Sequence, residues 1–267
     1  MSQPAIPVVV TGASGKMAQE ALSAIMKDPE LRLAGATSRN LDGPRLEVAR
    51  SGDVPLFRDL GTLLGKVEAR VLVDFTVAEA AMDHARVAFG HGVSPVVGTT
   101  GLSAENLREL AGLCQSTRLG AVVAPNFAIG AVIMMHLSRV AARYFDHAEI
   151  LELHHDGKAD APSGTALATA QGMARARGRP FEWKASKKET LKGTRGGQWE
   201  GIGIHSIRLP GLVAHQEVML GATGQTLSIR HDTTSRESFM PGLLIAIKEV
   251  VRQDHLVMGL DKLLGLE

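Results

Sequence analysis

The chain is poor in cysteine: among 267 residues there is one, Cys114. A single thiol excludes an internal disulfide framework. Neither a CxxC pair nor an HExxH pair occurs, so no metal site is expected. Cys114 lies in "LRELAGLCQS", in helical step with Leu107, Leu110 and Leu113. That spacing marks it as a packing residue of a helix face rather than a nucleophile. Excess charge is missing as well: 29 basic residues against 28 acidic ones leave a net charge of +1. With no long run of one sign, nothing points to a nucleic acid or a membrane surface as partner. Long apolar runs are also lacking. The amino-terminal "MSQPAIPVVV" has neither the charged start of a signal peptide nor the length of a membrane span, so a reducing, cytoplasmic setting is expected.

What is present is core material, with 45% hydrophobic residues in a length that suits one or two domains. Val8-Val9-Val10 is a β-branched run fit for a buried strand. It leads into a segment where Met17, Ala21, Leu22, Ile25 and Met26 recur at helical spacing. "LRLAGATS", "RVLVDFT" (70–76), "SPVVGTT" (94–100) and "LGAVVAPN" (119–126) read as further strands, the middle ones followed by helix-like stretches. Such alternation predicts an α/β fold with a doubly wound parallel sheet. The pattern then changes. "AIGAVIMMHLSRVAARYF" reads as a long helix, "HAEILELHH" as a strand and "GTALATAQGMARARG" as a helix. Three strand-like runs follow between 201 and 230 with little helix between them, which predicts a second, α+β domain built on a mostly antiparallel sheet. Residues 184–201, polar and rich in Gly and Lys, read as a long loop. The amphipathic helix in "SFMPGLLIAIKEVVRQ" is expected to return to the first domain. The expected division is 1–126 completed by 238–267, with 127–237 as the second domain.

Between the first strand and first helix stands "TGASGKMA": Gly12, Ala13, Ser14, Gly15, Lys16, Met17 and Ala18. Gly12 permits a tight turn, Gly15 lets the backbone approach a pyrophosphate, and Ala18 is small enough for close helix–strand packing. The helix start adds free N–H groups for phosphate. A turn that is Gly-rich for steric reasons alone would share the spacing, but the strand–turn–helix context favours dinucleotide binding. The second strand ends in "ATSRN", with no carboxylate until Asp42. Arg39 there is a fork suited to a ribose 2′-phosphate, and Lys16 can add a second charge. The weighing favours NADPH and leaves NADH open.

Two later strand ends are unusual, and ligands of open α/β sheets sit beyond such ends. Gly98, Thr99 and Thr100 are small or hydroxylated, which lets a flat ring lie close to the backbone. Ala124, Pro125, Asn126 and Phe127 would form a floor.

The block "ELHHDGKADAPSGTALATA" gathers the remaining chemistry. Glu152 and His154 share one side of a strand. Ser163 can cap the helix that follows, where Gly164 and Thr165 offer backbone N–H groups and a hydroxyl to an anion. Since the first domain would take the phosphates, that anion would be a substrate carboxylate. His155 and Lys158 add positive charge, and His154 can exchange a proton near neutral pH.

"GASGKM", "GTTG", "APNFAIG" and above all "HHDGKADAPSGTA" resemble the 4-hydroxy-tetrahydrodipicolinate reductase family, also called dihydrodipicolinate reductases, of the diaminopimelate–lysine pathway. The resemblance runs end to end and includes "HSIRLPGLVAHQEV" and "SFMPG". It implies an N-terminal Rossmann-type domain and a substrate-binding domain that also builds a homotetramer. It implies hydride transfer from NAD(P)H to C4 of a cyclic imine dicarboxylate with loss of the 4-hydroxyl as water. Carried over, it makes His154 the acid/base, Lys158 the proton donor and His155 a substrate contact, with Ser163, Gly164 and Thr165 at a carboxylate. Gly12 to Met17, Arg39, Gly98 to Thr100 and Ala124 to Phe127 would line the cofactor. Two positions depart from the family's habit: Ala18 where many members have Gly, and Ser38 where an acidic residue is common, which weakens the case for NADH. A two-domain dehydrogenase of the aspartate-semialdehyde type would need a thiolate, and the one thiol sits in a helix. A non-catalytic nucleotide sensor would have no need of His154 or Lys158.

Overall fold

The structure is a computed structural model, and it describes residues 4–41, 43–48 and 52–266. Asp42 lies outside the described residues. The chain divides into two compact units: Met1–Phe127 together with Phe239–Glu267, and Ala128–Ser238.

The first unit is built on an eight-stranded sheet. In chain order the strands are β1 (Ile6–Thr11), β2 (Leu31–Thr37), β3 (Arg45–Val48), β4 (Gly52–Phe57), β5 (Val71–Asp74), β6 (Ser94–Val97), β7 (Ala121–Val123) and, after the second unit, β13 (Leu256–Met258). Their spatial order is β13-β7-β6-β5-β1-β2-β4-β3. Every pair is parallel except β3–β4. β1 therefore stands between β2 and β5, where the winding reverses direction. That is the place at which open α/β sheets receive ligands.

The central strands β1, β5, β6 and β7 are mostly apolar and buried, as suits a parallel sheet covered by helices on both faces. Val8, Val9, Val10, Leu72 and Val96 have no solvent exposure. Side chains of this kind each stabilise the fold by roughly 1.5–3 kcal/mol when fully buried. The helices are α1 (Lys16–Lys27), α2 (Leu60–Leu64), α3 (Ala78–Gly90), α4 (Ala104–Thr117), α7 (Met240–Val250) and α8 (Leu260–Leu263). α4 opens with a capping box between Ser103 and Asn106, which satisfies two backbone N–H groups that the helix cannot. Cys114 lies in the core cluster beside Leu110 and Phe89, and burial pushes its thiol up to about 11. The hairpin β3–β4, helix α2 and the closing strand β13 fall in segments whose sequence pattern suggested no elements.

The second unit carries a five-stranded sheet in the order β12-β11-β8-β10-β9. Its strands are β8 (His147–His154), β9 (Gly197–Trp199), β10 (Ile202–Arg208), β11 (Ala214–Ala222) and β12 (Gln225–Thr233). Three pairs are antiparallel, and β8–β10 is parallel. Helices α5 (Ile129–Ala142) and α6 (Gly164–Arg177) complete the unit. Ala142, Ala166, Ala170 and Met173 pack with Ile150, Ile204, Val218 and Leu220 in one buried cluster. The expected loop at 184–201 needs correcting: its end forms β9, which pairs with β10. A three-residue edge strand is too short to show a period of two in the sequence.

Candidate functional site

In the first unit the carboxyl ends of the central strands lie side by side. Gly12 follows β1 in the left-handed region at φ +70°, and a Cβ there would meet Thr76 Cγ2 at 2.9 Å. Only glycine suits both conditions. The Gly15 amide donates to the Gly12 carbonyl at 2.8 Å, and the Ala13 amide donates to the Thr37 carbonyl at 2.9 Å, which ties the turn to the end of β2. Gly15 precedes α1 without a side-chain cap, and no acidic residue stands in the first turn. Those amides therefore remain available to a phosphate. Ser14, Gly15 and Lys16 are exposed, Gly12 and Met17 are half-buried, and Ala13 and Ala18 are buried.

The end of β2 buries Ser38, whose hydroxyl accepts from the Asn40 amide at 3.2 Å, and exposes Arg39. Arg39 has no hydrogen bond or ion pair among the described residues. At the end of β6 the Gly98 amide donates to the Asp74 carbonyl at 2.8 Å, and a Cβ on Gly98 would run into the rings of Phe75 and Phe127. Those two rings stand edge to face, with centroids 5.9 Å apart. Thr99 is half-buried and Thr100 exposed; Ala124 is buried, Pro125 exposed and Asn126 half-buried. This bare backbone beside aromatic rings can seat a flat heterocycle, so the cradle fits a dinucleotide.

One feature of this edge was not foreseen. Asp74, wholly buried, accepts from the Thr11 hydroxyl at 2.8 Å and from the Thr76 amide and hydroxyl at 2.7 and 2.6 Å; His84 Nδ1 lies 2.6 Å away. Burial works against its charge, but the hydrogen bonds from His84 and Thr76 outweigh burial and hold the carboxyl below its ordinary value. A carboxylate ending an otherwise apolar strand was the available signal.

In the second unit His154 closes β8, with Nδ1 2.5 Å from Glu152 Oε2. Glu152 has no solvent exposure and also accepts from Arg208 Nη1 and Nη2 at 3.1 and 2.8 Å and from the Ser163 amide at 3.3 Å. Burial favours its neutral form. Hydrogen bonds from His154, Arg208 and Ser206 overcome that and hold the carboxyl down at about 2. Arg208 Nη2 also donates to the Asp160 carbonyl at 2.7 Å, so the loop after β8 is tied to β10.

Lys158 Nζ lies 2.5 Å from Asp160 Oδ1, which lowers the Asp160 pKa. His155 is exposed. Ser163 caps α6 by accepting from the Ala166 amide at 3.1 Å, and is itself 3% exposed. With Ser163 so engaged, the exposed Gly164 and half-buried Thr165 are what the helix start presents. Arg208 and Asp160 escaped the sequence reading. An Arg on an alternating strand looks like any surface cation.

Family comparison adds to this geometry. One family model, described as dihydrodipicolinate reductase, N-terminus, matches residues 6–127, and the corresponding C-terminus model matches residues 130–264. The chain belongs to the dihydrodipicolinate reductase family. A 4-hydroxy-tetrahydrodipicolinate reductase of Dehalococcoides mccartyi is 50% identical to it over 98% of this chain and 99% of its own. One from Bacillus subtilis is 44% identical over 99% and 100%. Among solved structures, a dihydrodipicolinate reductase from a Paenisporosarcina species, with dipicolinate bound, superposes with a TM-score of 0.87. It shares 40% identity and covers 97% of this chain and 99% of that one. Among the described residues no helix is long and apolar enough to cross a membrane, and no group of three His, Cys, Asp or Glu is placed to hold a metal.

Proposed function

We propose that this chain catalyses the NAD(P)H-dependent reduction of 4-hydroxy-tetrahydrodipicolinate to tetrahydrodipicolinate, with loss of water, in diaminopimelate and lysine biosynthesis. The observation that carries this reading is the block from His154 to Thr165. It folds as a strand end, a loop and a capped helix start around one buried carboxylate, in a chain half identical end to end to named reductases.

The glycine turn from Gly12 to Met17, with Gly98 to Thr100 and Ala124 to Phe127, holds the nicotinamide cofactor, which when bound supplies a hydride for C4 of the substrate. Arg39, exposed and without a partner among the described residues, favours the 2′-phosphate of NADPH. NADH, which lacks that phosphate, is the weaker cofactor. His155 and the first-turn amides at Gly164 and Thr165 hold the substrate carboxylates. His154 exchanges a proton with the substrate. Lys158 donates one once its pair with Asp160 opens, so that the leaving hydroxyl departs as water. The substrate is a small dicarboxylate, and a homotetrameric, cytoplasmic enzyme goes with the family reading. α5 and α6 pack with the inward residues of the five-stranded sheet, while Ile207 and Met219, of opposite parity, stay 38% and 37% exposed.

The test is the absorbance of NADPH in the presence of the condensation product of pyruvate and aspartate semialdehyde. Oxidation of NADPH is expected. Its absence, with NADPH still bound, would favour a nucleotide sensor and contradict the assignment.

A further inference from the structure

The buried carboxylate in the second unit takes no direct part in the chemistry above, yet His154 is bonded to it directly and Lys158 is linked to it through Arg208 and Asp160. Its Oε2 receives His154 Nδ1 and Arg208 Nη1, and its Oε1 receives Arg208 Nη2 and the amide of Ser163 at the mouth of α6. Through Arg208 it also reaches the Asp160 carbonyl, and Asp160 holds Lys158. Register explains the convergence: Glu152 stands opposite Ser206 in the parallel β8–β10 pair and opposite Gln216 in the antiparallel β8–β11 pair. Burying an anion there is costly unless it is fully paired, and a neutral side chain would be the cheaper filling. A charge buried at this position calls for a use.

We propose that Glu152 is a positioning residue of the reduction: it accepts the Nδ1 hydrogen of His154, fixes that tautomer, and leaves Nε2 as the atom that exchanges a proton with the substrate. The inference rests on the acid/base role assigned to His154. The physical reason is that an ionised carboxylate can only accept. A neutral imidazole bonded to it through Nδ1 must therefore carry its hydrogen there, and its lone pair must sit on Nε2. Nε2 has no hydrogen-bond partner among the described residues, and the side chain is 15% exposed. Arg208 gives the anion a second, permanent partner. Glu152 thus stays charged and in place whichever protonation state His154 takes during turnover.

The first measurement needs no variant at Glu152. Long-range 1H–15N spectra of the 15N-labelled full chain, with the ring assigned by its loss in His154→Gln, read the tautomer at alkaline pH. A hydrogen on Nδ1 and a pyridine-type Nε2 are expected; a hydrogen on Nε2 overturns the proposal. The second compares kinetics. Glu152→Gln is expected to lower kcat on the order of 10²-fold, within what acid–base catalysis contributes, with KM for NADPH changed less than about twofold. Glu152→Asp, which keeps the charge but draws it back by one methylene, is expected to fall between Gln and wild type. If His154→Gln abolishes turnover while Glu152→Gln leaves it intact, the positioning role fails and the acid/base assignment stands. If His154→Gln turns over like wild type, the assignment itself fails and the proposal with it.

Discussion

Replacing Glu152 by Gln removes one charge at nearly constant shape, and the cost can be worked from the site. The carboxyl sits at about 2 in the folded chain against an ordinary 4.5. At 1.36 kcal/mol per pH unit the difference amounts to about 3 kcal/mol of stability near neutrality. Because the folded value is depressed, this contribution is complete above about 4.5 and is lost as pH falls through about 2. Linkage leaves most of it at pH 4 and less than half of it at pH 3. The neutral amide of the variant would resemble the protonated acid at every pH, with Arg208 equally short of a partner.

Wild type and Glu152→Gln should therefore differ by about 3 kcal/mol at pH 7 and should converge as the solution is acidified. The assay is urea unfolding at pH 7, 4 and 3, followed by tryptophan fluorescence. Both tryptophans, Trp183 and Trp199, belong to the unit that contains Glu152, so the signal reports that unit. A gap of the same size at pH 3 as at pH 7 would refute the reasoning, because a pH-independent loss reflects packing rather than charge.

The roles of the other residues carry their own expectations. His154→Ala and Lys158→Ala should each cut kcat by ~10²–10⁴-fold while leaving NADPH affinity, measured by direct titration, nearly unchanged; a parallel loss of affinity would contradict their placement at the substrate. Arg39→Ala should raise KM for NADPH by roughly tenfold, the loss of one exposed charge-assisted contact of about 1.4 kcal/mol, and leave KM for NADH nearly as it was. A larger penalty with NADH than with NADPH would reverse the cofactor preference.

What could be read early depended on how local the cause was. The block from His154 to Ala166 was legible because its features lie within one turn of chain: a strand end, a loop and a helix whose cap is Ser163. The glycine turn was legible for the same reason, as Gly12 and Gly15 act on residues beside them. The short strands β3, β9 and β13, of four, three and three residues, were not legible. Too few residues repeat for a period to show, and each exists because a neighbouring strand offers it hydrogen bonds.

The buried carboxylates divide along the same line. Glu152 and His154, two residues apart on one strand, share a side by the pleat alone, and the sequence suffices to pair them. Arg208 stands 56 positions from Glu152 and reaches it only because β10 lies parallel to β8 in one register. Thr11 and His84 meet at Asp74 from 63 and 10 positions away for a similar reason. By itself the sequence determined the alternation of elements, the glycine turn after the first strand, the helix capped by Ser163 and the family. Tertiary structure alone decided which charges are buried together and how each is balanced, because strand order and register, not chain distance, set which side chains share a space from which water is excluded.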